Sequence, residues 1–239
     1  MRRLFAGEMI KVRTTRTALG FGAAAVLLTV AATLISILAG DPHGLDDKKN
    51  ALNFGGGIGI VLLLFGAVGA TGEFRHRTLA PAVLIAPDRF RLVLARLAAY
   101  SITGLVFGFA MGVIALVLGV ALLGSEPGPD LTGSDYAGLA AGGLIDVVLA
   151  AAIGVGVGTL VRNQVAAVVG ILVWLTIAEP LVGVVNDGWT TYTLGSALNR
   201  VGLGGDHDMS FAGSIVLLVV WALVWTGVGA LVDRRRDVD

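Results

Sequence analysis

VLARLAAYSITGLVFGFAMGVIALVLGVALL, residues 93–123, carries a single charge, Arg96, across its whole length. A barrel strand would span about ten residues with alternating apolar and polar positions, which this run does not show. It reads as a helix, which closes its backbone hydrogen bonds within one segment and can therefore stand in hydrocarbon. At 1.5 Å per residue it extends about 46 Å, more than the roughly 30 Å of a bilayer core. Its start, around Val93 to Arg96, is expected outside the hydrocarbon.

Working outward, five further apolar runs cover 17–39, 51–71, 136–161, 165–185 and 211–232, separated by charged or turn-forming clusters. Charged residues make up 14% of the 239, against about 25% in soluble domains, and the mean hydropathy is +0.86. The expected class is an all-α integral membrane protein with six transmembrane helices in one domain, 1–239. The first run follows a long basic segment and exceeds the apolar core of a signal peptide, so it reads as a retained span. Cysteine is absent, which removes disulfides and thiolate metal sites.

Orientation follows from Lys and Arg. Fourteen of the 17 lie in the amino-terminal segment, the second loop and its exit (Arg75, Arg77, Arg89, Arg91, Arg96), Arg162 and the tail Arg234 to Arg236. The opposite loops hold Lys48, Lys49 and Arg200 and are rich in Asp. Both termini are therefore expected in the cytoplasm. Residues 1–16 place Leu4, Phe5, Met9, Ile10 and Val12 among basic residues, as an interfacial helix would; a disordered basic tail is the alternative. Residues 186–210 are too apolar for a free loop and too polar to cross, and read as a partly re-entrant outer segment.

Most chemistry is excluded. None of the three lysines stands in a Walker-type loop, so ATP-driven work would need a partner. His43, His76 and His207 lie in three different loops, and no metal-ligand spacing joins them. The run GVGVG at 154–158 has the glycine content of a nucleotide loop but no strand before it. No nucleophile with a paired base is visible, so no catalytic residue, metal, cofactor or nucleic-acid partner is expected.

What remains is packing and polarity. Gly104, Gly108 and Gly112 recur at four-residue spacing in the third span, and Gly138 with Gly142 and Gly154 with Gly158 in the fourth. Such rows let helices approach closely, although a Gly-rich composition also yields them by chance. Asp146 and Glu179 fall within predicted spans and are pathway candidates, because intramembrane acids usually face the interior or a water-filled path. For Glu179 the following Pro180 disfavours helix, and a side chain at the outer interface is the simpler reading.

GEFRHRTLAP at 72–81 continues through APDRFRLVLAR, giving a loop, 72–92, with an apolar interior from Leu79 to Ala86. A short helix fits, bounded by Pro81 and Pro87; a basic loop that merely fixes topology is the alternative. With GEMIKVRTTRTAL at 7–19 ahead of span one and a half-buried outer segment between spans five and six, the chain resembles the membrane subunit of a bacterial ABC-2 type exporter over its whole length. Arg77 stands where that family usually has Gly, and Arg96 where it often has Lys.

The resemblance implies a permease of the bacterial cell membrane that pairs with a second copy or a related one, and with separate ATP-binding subunits. The 72–92 loop would be the coupling helix, setting Glu73, Arg75, Arg77 and Thr78 against the ATPase. An ion-coupled carrier using Asp146, and a non-transporting immunity or scaffold protein, are the competing classes.

Overall fold

Apolar runs away from water must satisfy their peptide groups internally, and the computed structural model, which describes residues 2–75, 89–124, 126–205 and 208–235, is helical with no strand among them. The helices are α1 (Arg2–Thr14), α2 (Arg16–Leu38), α3 (Leu45–Ala51), α4 (Phe54–Arg75), α5 (Arg89–Leu123), α6 (Gly133–Val161), α7 (Gln164–Val173), α8 (Glu179–Val185), α9 (Asp187–Thr190), α10 (Leu194–Leu203) and α11 (Phe211–Arg235). A π-helical turn, Trp174–Ala178, joins α7 to α8 as one stretch. Five helical stretches are long and apolar enough to cross a membrane: Thr17–Leu38, Phe90–Leu123, Gly133–Val161, Gln164–Val185 and Phe211–Asp233. The 22-residue α4 contains a shorter apolar helix, Ile58–Gly72. The protein is all-α, and its multi-pass membrane character rests on these stretches.

At the centre stands α6, with 61% of its apolar window buried inside the chain, against 11–22% for the other four. Small residues put it there. Gly154 lies against the backbone of Leu63 and Ala67, Gly66 against Ala151, and Gly156 against Trp225 and Thr226. A side chain at any of these positions would meet backbone, so only glycine permits the approach. Gly59 meets Asp146 while Ala67 and Ala70 meet Gly158, and Gly156 meets Trp225 while Arg162 meets Asp233, so α4 and α11 both run parallel to α6. On another side of α6 lies α5, where the Ser101 hydroxyl donates to the Val148 carbonyl at 3.3 Å. Phe65 of α4 binds the seam with α2 and α5, its ring centroid 5.6 Å from Phe21, 5.0 Å from Tyr100 and 5.7 Å from Phe107.

The two ends of the bundle differ in chemistry. At one end Ile37, Leu52, Leu123 and Leu139 form a small apolar cluster. Beside it Lys48, 1% exposed, donates to the Glu126 carbonyl at 3.2 Å, and Lys49 pairs with Asp135 at 2.8 Å. Thr132 caps α6 by exchanging hydrogen bonds with Asp135. At the other end α6 stops at Arg162, whose left-handed φ of 56° turns the chain, while its side chain donates to the Asp233 carboxylate of α11 at 2.7 Å.

Three expectations change. The helix expected over 93–123 begins at Arg89 and runs 35 residues, because its foot is sheathed by α1: Leu92, Val93 and Arg96 are all buried. Glu179, where the following Pro180 is expected to disfavour helix, lies within an unbroken helical stretch over Gln164–Val185. Proline lacks the N–H and crowds the carbonyl four residues back, and the wider π turn just before it absorbs both faults. The outer segment is not one short helix but two, α9 and α10. The second, with Leu194, Ala197, Leu198 and Val201 buried, lies across α4, α6 and α11.

Candidate functional site

Of the residues expected to meet a partner, Glu73 and Arg75 fall in the last turn of α4, with side chains outside the described set. Arg77 and Thr78 lie outside the described residues, as does the whole segment 76–88. What is described is the frame around that segment. At the start of α5, Arg96 is 2% exposed, with Nε 3.8 Å from the carboxylate of Glu8 on α1. Glu8, itself 4% exposed, also accepts from Lys11 at 2.7 Å. The residue types explain the geometry: α1 presents Val12, 3% exposed, to the bundle, and Glu8, one turn earlier on the same face, supplies the charge that lets Arg96 be buried.

Asp146 lies near the middle of α6 and is fully buried. Neither carboxylate oxygen has a hydrogen-bond partner among the described residues. The carboxylate rests against Gly59 of α4, where a side chain would collide with it. On α11, Ser214 is also fully buried, its hydroxyl without a partner among the described residues. Polar groups buried in this way are rare in folded proteins.

Glu179 has a different situation. It is 8% exposed and accepts hydrogen bonds from the Trp174 indole N–H at 2.9 Å and from the Gly195 backbone N–H at 2.9 and 3.0 Å. The carboxylate thus joins the π turn to the first turn of α10, and is not at an open interface. A Cβ at Gly195 would lie 2.5 Å from the carboxylate oxygen, so the carboxylate would have to give way. Trp221 donates to the Tyr192 carbonyl at 3.1 Å and stacks edge-on to Trp174, which completes a bracket of fifth stretch, outer segment and α11. With its oxygens engaged, Glu179 is placed as a positioning group.

The glycines of α5 divide. A Cβ on Gly108 would collide with the Val147 side chain, and one on Gly104 would come within 3.1 Å of the Val147 carbonyl; Gly112 has nothing within 4 Å. The first two face α6 and the third faces a cavity. That cavity, about 210 Å³, is bounded by Ile58 of α4, Gly108, Met111 and Gly112 of α5, and Gly143 and Val147 of α6.

Sequence reasoning missed the pairing of Glu8 with Arg96, the burial of Lys48, and Gly59. Only Gly59 carried a signal, as the end of a Gly55-x-x-x-Gly59 spacing. No group of His, Asp and Glu suited to a metal ion occurs among the described residues. Neither the protein-family models nor the curated proteins compared with the chain match it.

Proposed function

We propose that the chain is the permease subunit of an ATP-driven exporter, six-spanning, with both termini cytoplasmic, working as a dimer with separate ATP-binding subunits. The observation that carries this reading is the basic foot of the bundle. There α1 is paired with the start of α5 through Glu8 and Arg96, and α5 follows the 72–92 segment directly in the chain. A push on that segment meets a braced helix, and the braced helix packs on α6. A partner shifts a conformational equilibrium only by binding its states differently, so ATP-driven work enters where the partner touches. Glu73, Arg75, Arg77 and Thr78 are the contacts of this reading. The outer segment, bracketed by Glu179, is the element that a shift of the bundle would reposition.

The test is Glu73→Arg. Association with the ATP-binding subunit and substrate-stimulated hydrolysis fall together, about tenfold for the loss of one interface charge pair; unchanged values sink the assignment. An ion-coupled carrier is favoured by one observation, the unpartnered carboxylate of Asp146. Proton-coupled flux from the purified chain alone would establish it.

A further inference from the structure

We propose that the outward face of α1, formed by Arg2, Ala6, Ile10 and Arg13, docks anionic phospholipid headgroups at the edge of the bilayer. The proposal needs only that α2 crosses a membrane, and it stands apart from the exporter reading.

Positions 2, 6, 10 and 13 share one face of a helix, because steps of four, four and three come close to whole turns. All four residues are exposed, while Glu8 and Val12 on the opposite side are buried. Glu8 is the one acid of α1, and it is turned inward to Arg96 and paired with Lys11. The outward face therefore carries cations alone. Neither Arg2 nor Arg13 has an ion-pair or hydrogen-bond partner among the described residues.

The level of this face is fixed by what α1 is joined to. Only Thr15 separates α1 from α2, whose apolar stretch begins at Thr17. One residue reaches at most about 3.6 Å, so the last turn of α1 stands at the hydrocarbon edge. Thr15 is extended, with φ −85° and ψ 127°, which breaks the helix axis, and its hydroxyl donates back to the Lys11 carbonyl. Farther along α1, Glu8 and Arg96 hold the helix to the foot of α5. The helix is thus tied at two places, with its cationic side left open.

Two kinds of partner suit such a face, an acidic protein in water and an anionic membrane surface. Ile10 decides between them. It is 62% exposed between Ala6 and Arg13, and the first turn of α2 exposes Leu19 at 72%. A bilayer edge accepts both kinds of group at once. Ile10 enters the acyl boundary, and the arginine stems lie along it while their guanidinium groups reach lipid phosphates, which they bind through paired N–H donors. A negatively charged surface adds about fivefold in affinity for each such cation.

The chain has no cysteine, so Ala6→Cys gives a unique labelling site in the middle of this face. The experiment reads bimane fluorescence from that site, on the full chain in phosphatidylcholine nanodiscs doped with brominated phosphatidylglycerol or brominated phosphatidylcholine. The phosphatidylglycerol quenches at a mole fraction at least about tenfold lower than the phosphatidylcholine. Arg2→Gln with Arg13→Gln brings the two lipids level and leaves the thermal midpoint unchanged, since both side chains are exposed. Arg91→Gln, at an exposed arginine of the α5 foot, keeps the preference. Equal quenching by the two lipids, a preference that survives the double variant, or its loss in Arg91→Gln overturns the proposal. Absence of quenching by either lipid puts the face in water, where an acidic protein would meet it, and also overturns it. Relief of quenching by soluble glycerol phosphate would mark a site for free phosphate and counts against it equally.

Discussion

Arg96 is the residue whose environment most exceeds what its type suggests. A guanidinium 2% exposed at the foot of a long apolar helix needs a counter-charge, and Glu8 brings one from another helix. Replacing Arg96 by Ala leaves the Glu8 carboxylate buried with Lys11 alone, and the expected cost is about 3 kcal/mol. Thermal unfolding in detergent checks this: the midpoint falls in Arg96→Ala and largely recovers in Glu8→Gln with Arg96→Met. No recovery in the double variant would show that packing, and not charge, sets the loss. The sequence marked Arg96 as a basic residue outside the hydrocarbon, at a place where the resembled family often has Lys. Its partner lies 88 positions away, and nothing local names it.

Among the elements, the stretch from α7 through the π turn to α8 is the least buried of the five candidate spans; its first half packs on α4 through Ala167 and Ile171, and its second half is joined to α10 by Glu179 and Gly195. Glu179→Ala removes the acceptor for the Trp174 N–H and the Gly195 N–H. Gly195→Ala drives a methyl group into the carboxylate. Both variants should loosen α10 from α8 to a similar degree, so that amide exchange over 194–203 accelerates about tenfold while exchange in α6 is unchanged. Accelerated exchange in α6 as well would mean that the bracket holds the whole bundle. The sequence placed Glu179 and Pro180 side by side within the 165–185 run and gave a reason for helix to be disfavoured at Glu179. It could not show that a wider turn, stabilised by the neighbouring Trp174, keeps the helix going past proline.

Across the whole molecule, basic residues gather at the end that holds α1, the start of α5 and Arg162, and acidic loops at the end that holds α3 and the start of α6. If the basic end faces the cytoplasm, a cysteine placed at Arg13 is blocked only by reagents that cross the membrane, and one at Asp130 is blocked by impermeant reagents from outside. The reverse pattern would invert the topology and remove the 72–92 segment from reach of a cytoplasmic ATPase. Helical class, the approximate bounds of the five long apolar stretches and the gathering of basic residues at one end were legible in the sequence. Each follows from composition over some 20 residues, and a low-dielectric surrounding punishes any unpaired peptide group. Which helix is central, which acid is satisfied and which is not, and which glycines touch a neighbour were settled only by tertiary structure. Asp146 and Glu179 look alike as intramembrane acids in the chain. They part company because one lies against a bare glycine and the other accepts from the Trp174 N–H five residues back and from the Gly195 N–H that α10 brings to it.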